Sequence, residues 1–172
     1  MPEGENSSAP SNQPKVGFQV LRHYLKDLSF ESPRGPLEID AGRSDRLQLD
    51  TDCSVRTRAL EKAELPDSPE DIVELLLTVT GRSEQKVVFL GELTYVAEVR
   101  LENVPDLVRP QILNVNVPEF LEPIVNDVIG RVAALAGYPG LRVTGLGFLS
   151  DFNRVKGDEW KAQRAAQGKN SP

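Results

Sequence analysis

The sequence contains very few of the residues that build covalent cross-links and metal centres. Its 172 residues include one cysteine, one histidine, one tryptophan and one methionine. A single cysteine excludes an internal disulfide, and one histidine with one cysteine excludes an ordinary zinc cluster. No apolar run approaches the roughly 18 residues of a membrane span, and the polar first fourteen residues lack an apolar signal-peptide core. We therefore expect a cytoplasmic protein with no metal and no membrane-inserted segment.

Nucleotide-binding motifs are also missing. Gly168-Lys169 lacks the upstream glycine of a P-loop, and Gly145-Leu146-Gly147 is a lone G-x-G that is more typical of a turn. His23 and Asp27 could form an acid–base pair only if their segment were helical, and no spacing singles out a pair of carboxylates. We expect neither a cofactor nor an enzymatic activity. A small enzyme that uses carboxylates remains an alternative.

The formal net charge of −6 is unevenly distributed. Residues 154–172 carry five basic and two acidic residues, a net charge of +3, which leaves −9 for the rest of the chain. An acidic body repels phosphate backbones, so we expect no nucleic-acid binding. A basic or unfolded polypeptide is the partner that this charge favours.

Composition divides the chain into three parts. Residues 1–15 are rich in Ser, Asn, Pro and Gly, which predicts a disordered N-terminal tail. Residues 16–155 have the apolar periodicities of one folded domain, and residues 156–172 predict a basic C-terminal helix or tail.

Period-2 patterns predict three strands in the first half of the domain. In Arg46–Ala59 every even residue is polar and no odd residue is charged, so one face is wet and Cys53 lies on the inward face. Ile72–Thr80 and Lys86–Leu101 predict a hairpin. Ser68–Asp71 resembles the start of a helix with a capping box, but the β-branched residues that follow favour a strand.

The segment Phe18–Glu31 fits two patterns. Phe18, Leu21, Leu25 and Leu28 would form a helical stripe, whereas Phe18, Val20, Tyr24, Leu28 and Phe30 would form one face of a strand. The aromatic content favours the strand.

The second half of the domain predicts a helix with a wide apolar surface. Pro118 and Pro123 bracket its entry, with Pro123 in the first turn, and Gly137 ends it. Apolar residues recur from Ile124 to Leu135, which predicts burial against a second copy through Ile124, Val125, Val128 and Val132. Strands followed by helices predict an α+β fold with a four-stranded antiparallel sheet.

Four short motifs resemble the SecB family of protein-export chaperones. The run Tyr24–Pro33 is similar to the [KR]-D-[IL]-S-F-E-x-P signature near that family's N-terminus. Phe89–Leu93 is similar to its F-L-x-E-V segment, and Pro118–Pro123 matches the spacing of its helix entry. Tyr138–Val143 with Phe148 and Phe152 fits its C-terminal pattern. The four motifs occur in the family's order.

This resemblance implies the sheet, a long helix and a C-terminal helix, assembled as a dimer of dimers in a homotetramer. It also implies an ATP-independent holdase that binds unfolded precursor proteins and delivers them to the translocase motor SecA. A SecB-like chaperone dedicated to a toxin–antitoxin pair is the alternative within the same class.

The resemblance also assigns candidate binding residues. Asp27, Glu31, Leu90 and Glu92 match the acidic and apolar positions by which the family recognises the basic, zinc-bearing tail of SecA. We expect the client groove to be lined by four apolar residues, Phe89, Val117, Phe120 and Leu121. Core packing is the competing interpretation of these four.

Overall fold

Four long strands form one antiparallel sheet in the computed structural model, which describes residues 17–33, 35–36, 47–60, 69–83 and 86–156. The strands are β1 (Gly17–Glu31), β2 (Gln48–Ala59), β3 (Asp71–Ser83) and β4 (Lys86–Glu102), in the spatial order β1-β4-β3-β2. The predicted fold class and all four predicted strands are confirmed. The predicted tail over residues 1–15 lies outside the described residues, as does the C-terminal tail beyond Lys156.

A nearly continuous helical segment follows the sheet. It comprises α1 (Arg109–Gln111), a π-helical turn (Ile112–Asn116) and α2 (Val117–Leu135). Residues 148–156 form a last helix, α3. No helix among the described residues is long and apolar enough to cross a membrane.

The predicted entry to the long helix is wrong. Pro123 lies inside α2, not in a first helical turn, because helical structure already begins at Arg109. An internal proline removes one backbone hydrogen bond and costs about 3 kcal/mol. Complete burial of Leu121 and near-complete burial of Val125, on either side of it, offsets this cost. Gly137, with a φ of +92°, follows the end of α2 as predicted.

The hydrophobic core lies between α2 and one face of the sheet, here called the inner face. Alternate residues of β3 and β4 point into it and are almost fully buried, among them Val73, Leu75, Leu77, Val79, Phe89, Leu93 and Val99. The helix meets them with one residue per turn, Leu121, Val125, Ile129 and Ala133. Period 2 in the strands and period 3.6 in the helix thus converge on one core.

β2 is covered less than its alternation predicts. Cys53 and Val55, on its inward side, are half-buried, and the other residues of the strand are exposed. Leu49, also on the inward side, is 39% exposed. β2 is an edge strand, and the core cluster reaches it only in part.

β1 contains two register shifts against β4, one between Val20 and Arg22 and one between Leu25 and Asp27. Each shift adds one residue and reverses which side chains face the core. Phe18, Val20, Leu28 and Phe30 face the core as predicted, but Tyr24 lies on the opposite face, beside Val96. The predicted five-residue face is therefore wrong at Tyr24.

A bidentate ion pair fastens the start of the helical segment to the start of β3. Nη2 of Arg109 donates to both carboxylate oxygens of Asp71, at 2.8 and 2.7 Å. Asp71 is only 2% exposed. Removing one partner would leave a buried charge unpaired, so this pair fixes where the helical segment leaves the sheet.

An aromatic cluster closes the other end of the core. The rings of Phe30 and Phe89 stack at 5.3 Å, and Tyr138 lies 4.8 Å from Phe89. The Tyr138 hydroxyl donates to the carbonyl oxygen of Val88 and lies 2.8 Å from Oγ of Ser32. The Phe89 ring packs directly on the backbone of Gly81, and a Cβ at this position would lie 2.2 Å from Cε1 of Phe89.

We predict that Gly81→Ala destabilises the protein, because the Phe89 ring would have to leave its place in the cluster. Overpacking of this kind costs about 1–3 kcal/mol. Urea denaturation at a fixed protein concentration should show a lower midpoint. Gly17→Ala is the matched control, since a Cβ at Gly17 meets nothing within 4 Å. Equal midpoints for Gly81→Ala and the parent would contradict this account of the cluster.

Candidate protein-binding surfaces

The sheet face opposite α2, here called the outer face, carries the four residues expected to contact SecA. Glu31 pairs with Leu90, and Asp27 pairs with Thr94 on the same side of β4. Leu90 and Glu92 alternate with the buried Phe89 and therefore also point outward. Asp27, Glu31 and Glu92 are exposed, and Leu90 is half-buried. Their spatial grouping agrees with the expectation, and their role in binding stays a prediction.

Charge on the outer face is segregated along the strands. On the half of the sheet toward the β3–β4 turn, Arg82 pairs with Asp50, but none of Asp27, Glu31 and Glu92 has an ion-pair partner among the described residues. At the other end, Arg22 pairs with Glu98 at 2.6 Å and Lys26 pairs with Glu74 at 2.7 Å. A basic partner is therefore attracted to the end near the turn.

The predicted client groove is mostly core. Phe89, Val117 and Leu121 are completely buried, because all three belong to the core between α2 and the sheet. Phe120 points away from the core and is 47% exposed, with its ring edge-on to Phe18 at 6.5 Å. Of the four residues, only Phe120 offers surface to a client in this conformation.

The predicted oligomer residues also divide between two roles. Val125 is 1% exposed and belongs to the core of the single chain. Ile124, Val128 and Val132 are half-buried and lie one turn apart along one side of α2. Phe120 and Leu135 extend this side at its two ends, and Leu135 is 90% exposed. We call these five residues the α2 strip.

A cleft between β2 and α3 was not predicted. It encloses about 700 Å³ and is lined by apolar groups that include Val55, Phe148, Phe152 and Val155. The alternation of β2 placed Cys53 and Val55 on its inward face, and Phe148 and Phe152 are spaced as one helical side. No sequence signal, however, shows that these two elements meet.

Cys53 lies in this cleft and is a poor nucleophile there. Burial, reinforced by the negative charges of Asp52, Glu122 and Asp151, raises the pKa of its thiol to about 12. The thiol is therefore protonated at neutral pH, as its expected place on an inward strand face implies.

The one histidine does not form the pair considered for catalysis. His23 faces inward opposite Ala97, and its Nδ1 lies 2.9 Å from the Tyr95 hydroxyl. Asp27 lies on the outer face, because the register shift at Lys26 reverses the alternation between the two residues. No group of His, Cys, Asp and Glu side chains in the described part of the chain is arranged to hold a metal ion.

Comparison with known proteins matches the chain to a protein family. The family model described as "Preprotein translocase subunit SecB" matches residues 11–157. The protein-export protein SecB of Bradyrhizobium sp. is 30% identical over 165 residues, which cover 95% of this chain and 94% of that protein. The SecB of Alkalilimnicola ehrlichii is 27% identical over 164 residues, covering 95% and 83% of the two chains.

A solved structure shows the same fold. It is the Mycobacterium tuberculosis Rv1957 SecB-like chaperone in complex with a ChAD peptide from the HigA1 antitoxin. The two structures agree with a TM-score of 0.56 at 11% sequence identity, over 74% of this chain and 88% of the other. With the family match over residues 11–157, these findings establish that the chain belongs to the SecB family.

Proposed function

We propose that this protein is an ATP-independent holdase that binds unfolded precursor proteins in the cytoplasm and delivers them to SecA. The match to the SecB family over residues 11–157 carries the proposal. Two features of the chain support it: exposed apolar surface on the helical side, and an acidic patch on the outer face whose carboxylates have no ion-pair partner in the part of the chain that the structure describes. The two lie on opposite faces of the sheet, so a client and a motor can be bound together.

An unfolded chain has no fixed shape, so holding it requires exposed apolar surface on the chaperone. Phe120 supplies such surface beside Phe18, and the cleft between β2 and α3 supplies a second, recessed one. β2 is also an edge strand, whose outer backbone groups can pair with an extended client. A chaperone that binds the unfolded state slows folding and aggregation by mass action and needs no nucleotide for it.

We predict that Phe120→Ser weakens client holding while the fold is retained. Losing contact with a half-exposed Phe should cost roughly 1 kcal/mol, or about fivefold in affinity. Suppression of aggregation of an unfolded test protein, titrated against chaperone concentration, measures the loss.

Leu121→Ser is the informative comparison. Leu121 is completely buried, so its truncation should cost about 2–5 kcal/mol of stability. Circular dichroism and thermal denaturation should therefore show an intact Phe120→Ser and a destabilised Leu121→Ser. A Phe120→Ser protein that unfolds, or that holds clients as well as the parent does, would remove Phe120 from the client surface.

Assembly as a dimer of dimers would cover the α2 strip from Ile124 to Leu135 and leave Phe120, at its first end, to the client. Its apolar side chains recur once per turn, and exposure of this kind marks an interaction surface in soluble proteins. Leu135, at 90% exposure, extends this apolar side at the C-terminal end of α2.

We predict a tetramer of about 76 kDa, four chains of 19.0 kDa, by light scattering. Val128→Asp or Val132→Asp should yield smaller species, because each would bury an unpaired charge in the interface. Ala134→Asp is the matched control, since it introduces the same charge at an exposed position of the same helix. A 19.0 kDa monomer for the parent protein would refute the tetramer.

Motor recognition is proposed for the acidic patch on the outer face. Leu90 lies opposite Glu31 and next to Glu92 on the same face, with Asp27 further along, so it can anchor an apolar side chain while the carboxylates attract a basic tail. Such attraction speeds association and weakens as salt is added.

We predict that Asp27→Lys, Glu31→Lys or Glu92→Lys each reduces binding of the zinc-loaded SecA tail peptide by about tenfold or more. Calorimetric titration at two salt concentrations gives the affinity and its salt dependence. Asp106→Lys makes the same charge change at an exposed turn beyond β4 and should bind as the parent does. Client holding and assembly should be unchanged in all four variants. Parent-like affinity in the three patch variants would rule out this docking site.

A chaperone dedicated to a toxin–antitoxin pair is the second candidate. The likeness to a SecB-like chaperone that was solved with an antitoxin peptide favours it, but at 11% identity that likeness concerns the fold. The protein-export SecB relatives are 27–30% identical and cover 95% of the chain, so we favour export. If the protein suppresses aggregation of several unrelated unfolded proteins, that result would support the general export chaperone. Activity on one client alone would support the chaperone dedicated to a toxin–antitoxin pair.

A further inference from the structure

The acidic end of the outer face continues past β4 onto β3 and β2. Thr78 of β3 pairs with Glu92 on one side and with Asp52 of β2 on the other. Leu76 of β3 pairs with Thr94, which in turn pairs with Asp27. Directly paired residues point to the same side of a sheet, so Asp52 and Leu76 share the outer face with the four residues already described.

These two residues have the same character as the patch that they extend. Asp52 is exposed and has no ion-pair partner within the described ranges, whereas its neighbour Asp50 accepts from Nε of Arg82 at 2.7 Å. Leu76 is half-buried, like Leu90. Unpaired carboxylates therefore lie on both edge strands, with two partly exposed leucines on the strands between them.

A change of charge ends this surface on one side. Lys26 of β1 reaches across β4 to Glu74 of β3, beside Val96, which is only 1% exposed. Beyond this bridge, β2 presents the exposed Arg56 and Arg58. The acidic half is thus bounded, and it comprises Asp27, Glu31, Asp52, Leu76, Leu90 and Glu92.

We propose that the acidic half is one continuous docking surface across all four strands, bound by a single basic segment with at least two apolar side chains. This inference rests on the proposed function and takes the SecA tail as that segment. Asp52 and Leu76 are then contacts additional to the four residues already assigned. The partner's positive charges would have to reach both edges of the sheet, which are about 14 Å apart at three strand spacings.

Spacing favours a polypeptide over a cation as the occupant. Glu92 and Asp52 flank Thr78, so they are two strand spacings apart, about 10 Å. No group of three or more His, Cys, Asp and Glu side chains in the described ranges is arranged to hold a metal ion. Basic side chains on an extended segment can reach both, while its apolar side chains cover the two leucines.

The test is calorimetric titration of the full chain with the zinc-loaded SecA tail peptide. Asp52→Lys should weaken binding by about tenfold and reduce its salt dependence. Asp106→Lys, with the same charge change outside the surface, should match the parent. Leu76→Thr should weaken binding by about three- to fivefold, and threonine suits this strand face, which already carries Thr78 and Thr80. Circular dichroism and light scattering check that each variant is folded and assembled.

The outcomes separate this inference from the function on which it rests. Weaker binding in both Asp52→Lys and Leu76→Thr supports a partner that spans all four strands. Parent-like binding in these two variants, with loss in Glu92→Lys, confines the partner to β1 and β4 and overturns the extension alone. Parent-like binding in all three, or no binding to the parent, removes the docking site itself.

Discussion

One helix covering one face of a four-stranded sheet is the constraint on which the other features depend. A helix is about 10 Å wide with its side chains, and strands lie about 4.8 Å apart, so α2 can fully cover only about two of them. Those two are β3 and β4, whose inward residues are almost completely buried. The edge strands β1 and β2 are only half covered on the same side.

Both apolar surfaces on the helical side follow from this partial cover. Over β1, the side of α2 that does not meet the central strands leaves Phe120 half exposed beside Phe18. Under β2, α3 and the π-helical turn complete the layer but leave a cleft around Val55 and Phe152. The surfaces that we assign to clients and to a second copy are thus the uncovered margins of the core.

The strands and the fold class could be predicted because alternation reports burial directly. Every second residue of β3 and β4 faces the core, and the pattern shows it. The groove residues could not be separated from the core in the same way. Phe120 and Leu121 are adjacent apolar residues, and only the direction in which α2 crosses the sheet decides that one is 47% exposed and the other 0%.

Contacts between distant segments could not be predicted from the sequence, for a related reason. The helical start at Arg109 depends on Asp71, 38 positions earlier, and neither residue is unusual in its local pattern. The cleft beside Cys53 depends on α3, which is about a hundred positions later in the chain. Periodicity describes one element at a time, so it identifies the faces but not the elements that meet.

The directions of Asp27 and Glu31 depend on two register shifts in β1 that cancel each other. From the first register shift up to Leu25, odd residues face inward, so a strand with this shift alone would have turned Asp27 and Glu31 toward the core. The extra residue Lys26 restores the outward direction for both. Lys26 also pairs with Glu74 across β4, while Leu28 and Phe30 pack against the core just beyond it. Lys26 therefore has two roles in the acidic half of the outer face. Its side chain ends this surface, and its insertion into β1 directs the carboxylates of Asp27 and Glu31 outward.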